Sequence, residues 1–146
     1  MNIDLFDDRY IYLLCPNGIE YIWEVYMHLD MNDDDAIEPN NKKIVLSVLK
    51  KLMSYGVVIV DQWFQKPELN NLSLSIDDTI KYINEIWHEN SKYPDLYNMV
   101  LFASSDWYVN KTKELGFTET TDWKTFVKKN IGDLESWIED NRPKNH

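Results

Sequence analysis

The chain has 146 residues, 44% of them hydrophobic, with six Trp, nine Tyr and a single cysteine. Its 25 acids outweigh its 15 bases, for a net charge of −10. This composition excludes a disordered chain, an internal disulfide and a cysteine zinc site, and its negative field opposes phosphate and anionic membranes while attracting basic partners.

One domain spanning residues 1–146 is expected, a length that buries a core without staples. The opening MNIDLFDDRYIYLLCPNG carries early acids and no basic segment, so a secretory signal is not expected. No apolar run approaches the roughly 20 residues that span a bilayer. A cytoplasmic location is the expectation.

Residues 5–15 predict a first helix, with Phe6, Tyr10, Leu13 and Leu14 on one side, ended by Pro16-Asn17-Gly18. Residues 19–29 predict a second, with Ile19, Ile22, Trp23, Tyr26 and Leu29 at helical spacing. An acidic stretch follows, holding Asp30, Asp33, Asp34, Asp35 and Glu38 without a base among them.

Residues 41–54 form the clearest helical pattern. Asn40 is a candidate cap and Gly56 a candidate left-handed stop. Val45, Val48, Leu49 and Leu52 make its apolar face, and Lys43, Ser47, Lys50 and Ser54 the opposite one. VVIVDQWF, residues 57–64, reads as a buried strand. Ser75 through Asp78 resembles a capping box, and the helix behind it presents Ile76, Ile80, Ile83 and Trp87. NMVLFAS, residues 98–104, is the second strand. A helix over 106–115 stops at Gly116, and one or two closing helices over 121–140 break near Gly132. Residues 141–146 are expected to fray. The fold class is therefore α+β, mostly helical, with a small two- or three-stranded antiparallel sheet.

Three helices followed by LMSYGVVIVDQW resemble a winged-helix domain over about residues 5–105. That resemblance implies a third helix that reads DNA, here carrying Lys42, Lys43, Lys50 and Lys51. The helix over 76–90 departs from the pattern by lying inside the wing. The reading helix also has no Arg, and only Asn40 and Asn41 stand near its start as base readers. Lysines on a helix face can pair with phosphate, but an acidic stretch stands just ahead of them, so nucleic acid is not the expected partner and a winged-helix DNA-binding transcription regulator using these lysines is the second expectation, behind a protein partner.

Asp30, Asn32 and Asp34 resemble the opening of an EF-hand calcium loop, whose alternate oxygens replace water around a hard cation. Ile37 and Glu38 fall at its eighth and ninth positions. The sixth position is Asp35 where the turn needs glycine, and the twelfth is Asn41 where calcium needs a bidentate glutamate. No metal and no cofactor are expected.

Enzymatic patterns are also missing. His28, His88 and His146 show no metal-ligand spacing, and no glycine-rich phosphate loop or nucleophile elbow occurs. Cys15, between Leu14 and Pro16, reads as a core thiol. Ser104 and Ser105 lack a base to activate them. The chain is not expected to be an enzyme.

As a class, small acidic cofactor-free chains resemble bacterial immunity proteins, which neutralise secreted toxins. The likeness carries no shared motif and transfers no residue. It implies a basic protein partner, possible toxin neutralisation, and a binding surface to which Asp30, Asp33, Asp34, Asp35 and Glu38 contribute, joined by Glu135, Glu139 and Asp140.

Overall fold

The computed structural model describes residues 3–31, 39–87, 95–96 and 98–144. The chain runs as a 3-10 turn (Ile11–Leu14), α1 (Ile22–His28), α2 (Pro39–Ser54), β1 (Val58–Trp63), a second 3-10 turn (Pro67–Leu69), α3 (Ile76–Ile86), β2 (Val100–Ser104), α4 (Asp106–Glu114), α5 (Trp123–Phe126) and α6 (Leu134–Asn141). α5 continues as a wider π turn over Val127–Ile131. The α+β, mostly helical expectation holds.

The first predicted helix is not an α-helix. Asp4 accepts the Phe6 N–H at 3.0 Å and Asp7 accepts the Arg9 N–H at 2.9 Å. Such short-range side-chain bonds give the backbone an alternative to the helical ladder, and the segment winds through turns into one 3-10 stretch. The three-helix run behind the winged-helix resemblance is thus two α-helices and a 3-10 turn. α1 starts at Ile22 because the Glu24 carboxylate folds back onto the Glu20 and Tyr21 N–H groups, at 2.9 and 3.0 Å. α2 starts at Pro39, one residue ahead of the expected cap Asn40, which lies inside the helix. Proline suits a first helical position, where its missing N–H is no loss.

α2 is the central support. Val45, Val48, Leu49 and Leu52 are fully buried, whereas Lys43, Ser47, Lys50 and Ser54 face solvent, as the periodicity requires. Gly56 takes φ +76° after the helix end, and the Val57 N–H returns to the Leu52 carbonyl. That turn sends the chain directly into β1.

β1 and β2 form a two-stranded antiparallel sheet, pairing Val58 with Ser104 and Val60 with Phe102. A register shift between Val60 and Gln62 leaves Asp61 as a bulge. Val58, Trp63, Val100 and Phe102 are buried, and the Trp63 ring meets Tyr82 of α3 edge-on at 6.4 Å. Ser75 caps α3 by accepting the Asp78 N–H at 3.0 Å, as its sequence indicates.

Long side chains of α4 and α5 tie the C-terminal helices to the turn after α2 and to the first 3-10 turn. Trp107 Nε1 donates to the Gly56 carbonyl at 2.7 Å, Tyr108 Oη to the Leu14 carbonyl, and Trp123 Nε1 to the Ile11 carbonyl at 3.0 Å. The chain stays held through the start of its expected tail: Asn141 closes α6 and Arg142 donates to the Ser54 carbonyl at 2.8 Å.

Candidate functional site

Of the acids expected to form a binding surface, Asp30 is described, and Asp33, Asp34, Asp35 and Glu38 lie outside the described residues. Asp30 stands exposed just beyond α1, at φ +58°, with its N–H on the Met27 carbonyl at 3.0 Å. It lies close enough to His28 to favour the charged imidazolium, as does Glu24. Burial of His28 outweighs both and holds its pKa below the ordinary value. Among the described residues no group of three His, Cys, Asp or Glu side chains is placed to hold a metal ion.

The acids of α6 gather elsewhere. Glu135 accepts the Tyr55 hydroxyl at 3.0 Å, Glu139 pairs with Arg142 at 3.4 Å, and Asp140 faces solvent. Asp4 joins them. Burial, then the Glu135 hydrogen bond, and then the fields of Asp4 and Glu139 raise the Tyr55 pKa. These carboxylates therefore collect at the C-terminal end of α2. The 30–38 stretch leads in sequence to its other end. With 16 residues at roughly 1.5 Å each, the two ends of α2 are about 24 Å apart. Asp4 gave no signal in the sequence, because 131 residues separate it from Glu135 and only folding brings them together.

Other exposed acids are partly neutralised. Asp8 pairs with Lys124 at 3.8 Å and Lys128 at 3.4 Å, Asp7 with Arg9 at 3.3 Å, and Asp77 with Lys50 at 3.1 Å. All are solvent-screened and add little to stability.

The α2 lysines are largely engaged within the chain. Lys42 donates to the Asn84 carbonyl at 3.2 Å and to the Trp87 carbonyl, with its ammonium 5.9 Å from the Trp87 ring centre. Lys50 pairs with Asp77, and Lys51 donates to the Ile3 carbonyl. Three of the four lysines expected on a DNA-reading face thus contact other parts of this chain, although Lys50, like Lys43, stays exposed.

The nucleophile candidates Cys15, Ser104 and Ser105 are largely buried. Burial, reinforced by the field of Asp122, pushes the Cys15 thiol up to about 11, so it stays protonated at neutral pH. The Ser104 hydroxyl accepts the Asn17 N–H at 2.7 Å. Ser105 is buried at the head of α4. Trp63, Trp87 and Trp123 belong to the core, and Trp107 is half-buried with its indole N–H bonded. Phe64, just past β1, is exposed.

Sequence reasoning missed an apolar groove. Leu72 is 57% exposed, Ile59 50% and Ile76 37%, although Ile76 was expected on the inner face of α3. The groove, about 250 Å³, runs between β1 and the segment leading into α3. A second concavity of about 440 Å³ shares Met53 and Ile76 with it and extends to Trp107 and Arg142. Among the described residues no helix is long and apolar enough to cross a membrane. No family model, curated protein or solved structure matches this chain.

Proposed function

We propose that this protein is an acidic binding module that captures a basic protein, and that the captured protein is a toxin domain it neutralises. The excess of ten negative charges carries the reading. Its support in the fold is the placement of that charge: Asp30, Asp61, Asp78, Glu135 and Asp140 all face solvent, while Lys42 and Lys51 turn back onto backbone carbonyls. An acidic surface of this kind steers a cationic partner into encounter and masks its charge once bound. In this reading Asp30, Asp33, Asp34, Asp35 and Glu38 form one contact region, and Glu135, Glu139 and Asp140 a second at the far end of α2.

The test is a pull-down from the native host with neighbouring reading frames in view, followed by kinetics on the captured protein. A basic partner is expected, with an association rate that falls as salt rises. Replacing Asp33, Asp34 and Asp35 by Asn and Glu38 by Gln is expected to slow association about tenfold or more. A neutral or acidic partner, or an unchanged association rate, overturns the reading. So does salt-sensitive binding to the duplex of the protein's own promoter in place of a protein.

A further inference from the structure

The sheet has two outer edges, and they are treated differently. The Ser105 N–H bonds the Val57 carbonyl at 2.9 Å, which makes residues 57 and 105 a hydrogen-bonded pair of the ladder. By alternation, residues 58 and 60 point their N–H and C=O groups away from β2. On the β2 side the equivalent edge is closed, because the Phe102 N–H bonds the Glu20 carbonyl at 2.7 Å. On the β1 side Asn70 closes the far end by accepting the Trp63 N–H at 2.8 Å, whereas no partner for the N–H groups of Val58 and Val60 is found among the described residues. The groove of about 250 Å³ lies along this edge, with Ile59, Leu72 and Ile76 exposed beside it.

We infer that the β1 edge is the docking site for an extended strand of a basic protein, added antiparallel or parallel to β1 with its aliphatic side chains in the groove. The inference rests on the basic-partner reading and adds the mode of contact. Open backbone groups supply hydrogen bonds to any extended chain, and flanking side chains select which chain binds. Charge makes that selection here. Asp61 projects from the bulge, Glu68 follows β1, and Asp77 and Asp78 open α3. Lys50 is paired with Asp77, and Lys66 lies over the Tyr82 ring. A second copy of this chain brings ten more negative charges to that rim and is disfavoured, whereas a strand carrying Lys or Arg is drawn to it.

Three heptapeptides test this on the isotopically labelled chain by NMR titration and amide exchange: alternating Lys-Val, the same residues as a Lys block followed by a Val block, and alternating Glu-Val. The alternating Lys-Val peptide is expected to shift Ile59, Leu72 and Ile76 and to slow exchange at Val58 and Val60. Ile59→Lys, at an exposed position that the fold does not need, is expected to weaken that binding about tenfold or more. Equal binding of both basic peptides away from β1 overturns the edge inference and leaves the basic-partner reading standing. Equal binding of the Glu-Val peptide at β1 overturns the edge inference, because charge then selects nothing there. Shifts at β1 that grow with protein concentration alone assign the edge to a second copy and overturn the inference. Silence at β1 with all three peptides overturns the edge inference alone, since the acidic surfaces are read separately by the pull-down.

Discussion

Two tryptophans, each 1% exposed, set up a controlled comparison. The Trp123 indole N–H reaches the Ile11 carbonyl at 3.0 Å, and its ring lies 5.1 Å from Phe117 and 5.9 Å from Phe126. The buried Trp87 indole N–H has no hydrogen-bond partner among the described residues. Replacing either ring by Phe leaves roughly 40 Å³ empty, a cost of about 1 kcal/mol at roughly 24 cal/mol per Å³. In Trp123→Phe the lost hydrogen bond adds about 0.5–1.5 kcal/mol, for a total near 2 kcal/mol. In Trp87→Phe the change removes an unpaired donor whose burial costs about 1–3 kcal/mol, so the net effect runs from about zero to about 2 kcal/mol of stabilisation. The Lys42 ammonium keeps an aromatic face beneath it in the second variant. Urea unfolding followed by circular dichroism at the helix band measures both, because fluorescence changes with the loss of either indole. Similar slopes license the comparison of midpoints. A loss in Trp87→Phe as large as that in Trp123→Phe refutes the reasoning.

Two further outcomes follow from local chemistry. Burial depresses the His28 pKa below its ordinary 6.5, so the folded state resists protonation that the unfolded chain accepts. The associated stability is present above 6.5 and is lost as pH falls through the depressed folded value; urea midpoints at about pH 7.5 and about pH 5.5 are expected to drop more in the parent than in His28→Gln, and parallel drops refute the assignment. Gly132 holds φ +87° and ψ −100° between the π turn and α6, in open space with nothing for a methyl group to strike. Gly132→Ala is expected to cost about 1–3 kcal/mol through backbone strain alone, and an unchanged melting temperature contradicts that.

Most of the architecture was legible from local pattern. The 3.6-residue spacing of Val45, Val48, Leu49 and Leu52 marked α2 and its buried face, and Ser75 with Asp78 marked the start of α3. The errors fell where side chains compete with backbone. Asp4 and Asp7 turned an apparent helix into turns, and Pro39 moved the start of α2 ahead of Asn40. Periodicity reports which face is apolar, and it is blind to a carboxylate that captures a neighbouring N–H.

The candidate surface was less legible. Charge counting located acids along the chain and could not say which of them meet. Asp4, Tyr55 and Glu135 come together from the two termini and the end of α2, and Lys42 and Lys51 spend their donors on carbonyls far off in sequence. The open Val58–Val60 part of the β1 edge is a property of strand order: β1 has one strand neighbour and Asn70 at its far end, and β2 has Glu20 on its other side. By itself the sequence determined most of the secondary structure, the buried stripe of α2 and the sign of the field, because these follow from residue type and short-range spacing. Only the tertiary structure decided which charges cluster, which lysines are already engaged and which strand edge stays open, because those depend on contacts between residues that the chain keeps far apart.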